Sequence, residues 1–251
     1  MEHAKTGFLT ATGRPQELRA ADVPARCRIL MLGPHPDDFD AIAVTLSRLA
    51  RNGNPLHAAV VRSGSGVLDS YAPDLTWDKK AEIREHEQRR SLRFFGLPEA
   101  GATYLSLDND SGEGQLCETP RNAATLHALI AEQRPDLIFL PHGNDTNSAH
   151  RALYAMVRAI AAERRRPVAL LLIRDPKTVS LRADLYTPFD EAEAEWKAEM
   201  LRFHDTQHQR NLLTRGLGFD ARILEGNRQF AQELSLGEPY AEVFEIQRYS
   251  A

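Results

Sequence analysis

Apolar residues along the chain gather in short continuous runs that are separated by longer stretches of mixed polarity. The first run, at residues 28–33, ends at a Gly-Pro pair, which is typical of a buried strand of a parallel sheet. Similar runs recur at residues 57–62, 103–107, 137–140, 168–173 and 242–248. We expect each of them to form a strand.

The stretches between these runs carry the apolar spacing of helices. Ile42, Leu46 and Leu49 recur every three to four residues, and Gly53 supplies a C-terminal stop for the helix that they predict. The same kind of pattern predicts helices at residues 78–95, 123–133, 149–163 and 191–208. Residues 1–25 carry neither pattern, and we expect an irregular lead-in there.

Strands and helices therefore alternate along most of the chain. Such alternation predicts an α/β fold with three layers, in which a Rossmann-like, mostly parallel sheet lies between helices on both of its faces. No linker, internal repeat or low-complexity tract divides the sequence. We expect a single domain over residues 1–251.

Composition and charge narrow the classes of function. The shares of hydrophobic (42%) and charged (26%) residues are ordinary for a globular protein, and the net charge of -4 gives no electrostatic reason to expect nucleic acid as a partner. No run approaches the roughly 18 apolar residues that a membrane span needs, and no secretory signal is visible. With only Cys27 and Cys117, a disulfide framework is not expected either. These features predict a cytoplasmic protein with no membrane partner.

A first group of chemically competent residues follows the first predicted strand. The sequence Pro34-His35-Pro36-Asp37-Asp38 places an imidazole and two carboxylates at a strand end, where open α/β sheets bind ligands. This mixture of donors suits a zinc-type ion. His35 and Asp38 can bind the ion, which leaves Asp37 to take a proton from a water that the metal acidifies. An Asp in this position can also simply cap the following helix.

A second group lies at residues 141–150, after the fourth predicted strand. The carboxyl ends of parallel strands meet at one edge of a sheet, so this group is expected close to the first. His150, at the start of the next predicted helix, can then complete a set of three metal ligands. A catalytic zinc site typically has three protein ligands and one open position.

Both groups resemble the signatures of the PIG-L/LmbE-like family of zinc-dependent N-deacetylases. Pro34 to Asp38 is similar to the family's first metal motif, and Pro141, His142, Asp145 and His150 are similar to its second. Further matches are Arg84 and Glu87 in a helix that ends in Phe-Gly, then Lys197, the segment 204–207 and the late segment 240–244. The resemblance covers residues 28–245.

The resemblance implies an LmbE-like fold and a metal-dependent amidase or deacetylase that acts on C–N bonds other than peptide bonds. The acyl group removed is expected to be N-acetyl, and the partner a small N-acetylated amino sugar or glycoside. By the same resemblance His35, Asp38 and His150 hold Zn²⁺ or another divalent metal, and Asp37 is the general base. Because family members are often oligomers, a homo-oligomer is also compatible with it.

The sequence departs from the family pattern at a residue that is expected to help protonate the leaving amine. Asn147 stands where the family usually has a His, and an Asn can donate a hydrogen bond but delivers no proton at neutral pH. The group that protonates the leaving amine is thus open among Asp37, which can return the proton it took, and His142, Asp145, His204 and His208. Arg62, beside a Ser-Gly loop, and His142 are candidate substrate-binding residues.

Two other functions are compatible with these residues. Loss of the usual acid at Asn147 leaves room for a metal-dependent hydratase or lyase, which adds water to a double bond and releases no amine. A non-catalytic metal-binding module is the third hypothesis. A free carboxylate at Asp37 speaks against such a module, because a purely structural ion does not need one.

Overall fold

A computed structural model of the protein describes residues 13–71, 73–109 and 115–250. Residues 1–12 of the expected irregular lead-in lie outside the described residues. In the rest of the lead-in, the structure has a short strand and a single 3₁₀ turn at Ala20–Asp22. Within the described ranges, no helix is both long and apolar enough to cross a membrane.

The described strands form one eight-stranded sheet with the order β1-β7-β8-β6-β5-β2-β3-β4. The strands are β1 (Gln16–Glu17), β2 (Ile29–Gly33), β3 (Leu56–Val61), β4 (Ala102–Leu105), β5 (Leu137–Pro141), β6 (Val168–Ile173), β7 (Leu185–Phe189) and β8 (Tyr240–Tyr249). Strand β8 runs antiparallel to both of its neighbours, and the other pairs are parallel. The expected mostly parallel sheet is confirmed.

Seven α-helices accompany the sheet in the described residues. They are α1 (Ala43–Arg51), α2 (Trp77–Phe95), α3 (Pro120–Gln133), α4 (Ser148–Glu163), α5 (Glu191–Leu201), α6 (Asp205–Arg215) and α7 (Phe219–Glu233). Side-chain caps from Thr76, Thr119, Asn147 and Asp190 accept backbone N–H donors and begin α2, α3, α4 and α5 respectively. The chain thus marks most helix starts locally.

The core lies on both faces of the sheet. Alternate residues of β2 point to opposite sides: Ile29 and Met31 pack with residues of α1, α2 and α5, whereas Leu30 and Leu32 pack with residues of α3 and α4. This confirms the predicted three-layer α/β architecture. In the centre of the sheet β2 pairs with both β3 and β5, so the loops that follow β2 and β5 meet at one edge.

The helix predicted over residues 191–208 is two helices, and this prediction was wrong. The chain leaves the helix after Leu201 and resumes at Asp205, with His204 as the N-cap residue of α6. One N–H group at the start of the new helix finds a partner on α2, because Glu87 accepts hydrogen bonds from the backbone N–H and the hydroxyl of Thr206, each over 2.7 Å. A cap supplied from a distant element leaves no local sequence signal.

Candidate active site

The first metal motif forms a tight turn directly after β2. The backbone N–H of His35 donates to Asp38 Oδ2 over 2.8 Å, and the N–H of Asp37 donates to the carbonyl oxygen of His35 over 3.0 Å. Gly33 makes room for the turn, because a Cβ at this residue would lie 2.9 Å from the Cβ of Asp38. The turn brings the side chains of His35 and Asp38 close together.

His150 joins this pair from the first turn of α4. Each of the three residues offers one ligand atom, and these atoms all lie within 4.8 Å of one another. Asp38 is 3.5 Å from Nδ1 of His35 through Oδ2 and 3.5 Å from Nε2 of His150 through Oδ1. The structure therefore brings together the three residues that the sequence suggested as metal ligands.

The chemistry of these three side chains fits a divalent cation. His150 Nε2 is buried, makes no hydrogen bond and lies beside Asp38. Burial disfavours the charged form of His150, yet its contact with Asp145 and the nearby negative charge of Asp38 outweigh it and raise its pKa to about 10. Burial lowers the pKa of His35, which favours the neutral form that binds metals. The donor set itself, two imidazoles and a carboxylate, suits a zinc-type ion.

Asp145 holds His150 from behind. Its Oδ2 lies 3.1 Å from His150 Nδ1, and its Oδ1 accepts the backbone N–H of Asn147 over 2.7 Å. Burial alone would raise the pKa of Asp145, but the hydrogen bond to His150 outweighs this and lowers it. Asp145 is therefore placed to orient the ring of His150 and to leave Nε2 for a ligand bond, as carboxylates behind metal-binding histidines do. As a proton donor to substrate it is poorly placed.

Asp37 faces the cavity beside the three candidate ligands and is held by an arginine of α2. Arg84 Nη2 lies 3.1 Å from Asp37 Oδ2 and donates to the carbonyl oxygen of Pro36 over 3.3 Å. Arg84 Nη1 donates to the carbonyl oxygen of Ser65. Because the Arg84 side chain is only 2% exposed, these contacts fix the position of the Asp37 carboxylate. Arg84 was not predicted as a residue of the site, because the periodicity of α2 does not distinguish a buried arginine from a solvated one.

His204 lies behind the site rather than in it. Its Nε2 is 3.2 Å from Asp40 Oδ2, and both side chains are fully buried. Burial opposes protonation of His204, but the negative charges of Asp40 and Asp37 outweigh it and raise its pKa. Asp40 also accepts hydrogen bonds from Gln88 and Ser91 of α2. Of the remaining candidate acids, His208 lies 3.4 Å from Asp220 through Nδ1. Neither His204 nor His208 belongs to the cavity lining.

Asn147 lines the cavity, whereas Arg62 and His142 do not. The side-chain oxygen of Asn147 accepts the N–H of Ala149 over 2.9 Å, so its NH₂ group is the part left for a ligand. Arg62 Nε donates to Glu85 over 2.7 Å. His142 stacks on Tyr154 and lies 3.4 Å from Glu245. The structure therefore does not bring Arg62 and His142 to the site where the sequence analysis expected them to bind substrate.

The candidate site lies in a cavity of about 370 Å³. It is lined by Arg84 of α2 and by residues that follow β2, β3, β4, β5 and β6, and α6 and α7 contribute a wall that was not predicted. The residues of this wall are Gln207, Arg210, Asn211, Thr214, Arg215, Phe219, Arg222 and Ile223. Because α7 was not predicted as an element, nothing in the sequence pattern placed these residues near the metal motifs.

Comparisons with solved structures show a shared fold. N,N'-diacetylchitobiose deacetylase from Pyrococcus horikoshii superposes with a TM-score of 0.71 over 88% of this chain and 84% of its own, at 17% identity. The A40926 pseudoaglycone deacetylase superposes with a TM-score of 0.64 over 90% and 99%, at 19% identity. The 4-carboxy-2-hydroxymuconate hydratase from Pseudomonas putida has a TM-score of 0.54 over 87% and 95%, at 14% identity.

Comparison at the level of sequence gives the family. No curated protein matches the chain. The family model of PIG-L, described as GlcNAc-PI de-N-acetylase, matches residues 30–161, which is more than half of the chain. The matched region contains both groups of candidate ligands and the strands β2 and β5 that position them. The chain belongs to the PIG-L family, as its two metal motifs indicated.

Proposed function

We propose that this protein is a metal-dependent amidohydrolase that removes an N-acyl group, N-acetyl in the first instance, from an amino sugar or a conjugate of one. The observation that carries the proposal is the convergence of His35, Asp38 and His150 on one point, with the Arg84-held carboxylate of Asp37 beside them. Membership in the PIG-L family and the fold shared with deacetylases support it.

His35, Asp38 and His150 would hold the divalent ion, for which we propose Zn²⁺. When bound, such an ion supplies Lewis acidity and lowers the pKa of a coordinated water. Asp145 keeps the His150 ring in place through Nδ1. Each proposed ligand is thus either folded into the tight turn after β2 or supported by a second residue.

Asp37 acts as the general base in this proposal. Its carboxylate takes a proton from the attacking water while the water oxygen bonds to the amide carbon, and the NH₂ group of Asn147 donates a hydrogen bond to the carbonyl oxygen as negative charge develops there. Asp37 then returns the proton to the nitrogen as the C–N bond breaks, which yields a carboxylic acid and a free amine. His204, Asp145 and His142 are not in the cavity, so Asp37 is the group best placed to carry the proton both ways.

Turnover by the Asp37→Asn variant tests this assignment. With metal-loaded protein and a panel of N-acetylglucosamine conjugates, we expect release of acetate and amine to fall by at least about 100-fold while the metal content stays at the wild-type level. Asp74→Asn, which makes the same change at an exposed residue, serves as the matched control. Unreduced turnover in Asp37→Asn would remove Asp37 as the base.

Addition of water to a double bond is a second candidate function. A hydratase shares the fold. Asp37 is the one candidate acid that faces the cavity, and it is also the proposed base. A site without a separate acid is compatible with a reaction that has no amine to protonate. Assays for free amine separate the two functions, because hydration releases none. A protein that binds no metal and turns over no substrate would instead be a non-catalytic module.

A further inference from the structure

Besides Arg84, four positively charged side chains line the cavity: Arg210 and Arg215 of α6, Arg222 of α7 and Lys177 of the loop after β6. All four line the same cavity as His35 and Asp38, two of the three candidate metal ligands. We call these four residues the cationic wall. None of them belongs to the two metal motifs.

The carboxylates of the cavity are already engaged elsewhere. Asp37 pairs with Arg84, and Asp38 lies between His35 and His150. Asp175 accepts the backbone N–H of Lys177 over 2.8 Å within its own loop. Throughout the described parts of the chain, no carboxylate lies within 4.0 Å of a side-chain nitrogen of the cationic wall, whereas Arg202 and Arg228, on nearby turns, each have an acidic partner.

The arginines of the cationic wall also repel one another. Loss of hydration and then the positive charges of Arg84 and Arg215 lower the pKa of Arg210. Gly66 makes room for the side chain of Arg210, because a Cβ at this residue would lie 3.0 Å from Nη1 of Arg210. The φ of Gly66, +83°, is also one that favours glycine. The negative charge of Asp37 partly offsets this repulsion at Arg210, but Asp37 is itself paired with Arg84. Like charges that gather in one cavity cost stability, and such a cost is typical of functional sites.

We propose that the substrate carries an oxyanion, either a carboxylate or a phosphate, which the cationic wall binds while the amide lies at the metal ligands. The inference rests on the proposed function for the position of the amide and narrows its substrate class to anionic N-acyl compounds. Guanidinium groups pair with the two oxygens of a carboxylate or phosphate in a fork geometry, which favours such groups over a neutral sugar.

The test compares three N-acetylated substrates in the metal-loaded protein: neutral N-acetylglucosamine, its 1-phosphate and the carboxylate-bearing N-acetylmuramic acid. We expect kcat/KM to be at least about tenfold higher for one of the charged substrates than for the neutral one, and the two charged arms decide between phosphate and carboxylate. In Arg215→Gln and Arg222→Gln this ratio falls about tenfold. In Arg228→Gln, which removes the same charge from α7 outside the cavity, the ratio keeps its wild-type value.

Equal kcat/KM values for charged and neutral substrates, or ratios that are unchanged in both cavity variants, would overturn the proposal while leaving deacetylation intact. If no substrate releases acetate, the proposed function fails, and binding of inorganic phosphate by calorimetry then decides about the cationic wall. Weaker phosphate binding in Arg222→Gln but not in Arg228→Gln supports it, and equal binding in all three proteins overturns it. Arg215 is exposed, so Arg215→Gln preserves the test if Arg222→Gln fails to fold.

Discussion

Asp37 and Asp145 both lie next to proposed metal ligands, but their surroundings suit them for different tasks. Asp37 lines the cavity and is held by Arg84, so it can exchange a proton with a bound molecule. Asp145 is buried behind His150 and shares its two oxygens between that ring and the backbone of Asn147. Two carboxylates that look alike in the sequence therefore serve as a base and as a positioning group in our proposal.

Asp145→Asn tests the positioning role. The variant keeps the size of the side chain but loses the charge that holds His150 Nδ1–H, and removal of such an outer partner typically weakens metal affinity by about 10- to 100-fold. Competition with a chelator of known affinity measures the change. Asp190→Asn, at the N-cap of α5, is a suitable control because Asn also caps helices. Wild-type metal affinity in Asp145→Asn would contradict the role.

Among the residues of the candidate site, the sequence predicted those that lie in contiguous motifs. His35, Asp37, Asp38 and His150 follow strand ends whose meeting point is a consequence of parallel pairing, so their convergence could be inferred. Arg84 could not be assigned in this way, because α2 carries many charged residues and the sequence does not show which of them is buried. Arg62 was expected in the site for its position beside the Ser-Gly loop, but Glu85 binds it outside the cavity.

Among the elements, α5 and β8 are joined by a buried ion pair. Lys197 Nζ lies 2.7 Å from Glu242 Oε1, and both side chains are fully buried. Glu242 also accepts the backbone N–H groups of Val44 and Thr45 at the start of α1. These contacts tie α5, β8 and α1 together, close in sequence to the turn that carries the proposed ligands His35 and Asp38, and the bonds to Glu242 explain why α1 needs no cap of its own.

Lys197→Met should destabilise the fold, because it leaves Glu242 buried without its cation. Loss of one partner of a buried pair typically costs about 3–5 kcal/mol in the free energy of unfolding. Lys79→Met, which removes an exposed lysine paired with Glu82, should cost no more than about 0.5 kcal/mol. Chemical denaturation measures both variants, and equal losses would show that the buried pair does not stabilise the packing of these elements.

The elements that the sequence predicted are those with a strong local pattern. The six predicted strands, β2 to β6 and β8, and helices α1 to α4 have apolar runs or amphipathic spacing with nearby caps and stops. Strand β7 contains Pro188, which is unusual inside a sheet; it is tolerated because β1 pairs only with Leu185 and Tyr186 and leaves the Pro188 side open. The break between α5 and α6 depends on Glu87, more than 100 residues earlier in the chain.

For the whole molecule, the order of the strands explains how the site is assembled. Strands β2 and β5 are neighbours in space although about 100 residues separate them, and α6 and α7 close the cavity from the C-terminal part of the chain. We propose that the chain forms a single domain, because β1 and β8, from its two ends, lie in the same sheet. The site accordingly combines residues from within the region that matches the family model with residues that follow it.

The central claim is that His35, Asp38 and His150 hold one divalent ion in the catalytic cavity. Metal content of the purified protein, measured by elemental mass spectrometry after loading with Zn²⁺ and desalting, tests it most directly. We predict one ion per chain in the wild type and in Asp37→Asn, and loss of the ion in a His35→Ala, His150→Ala double variant that remains folded. Wild-type protein without a bound ion, or a double variant that retains one, would contradict the account.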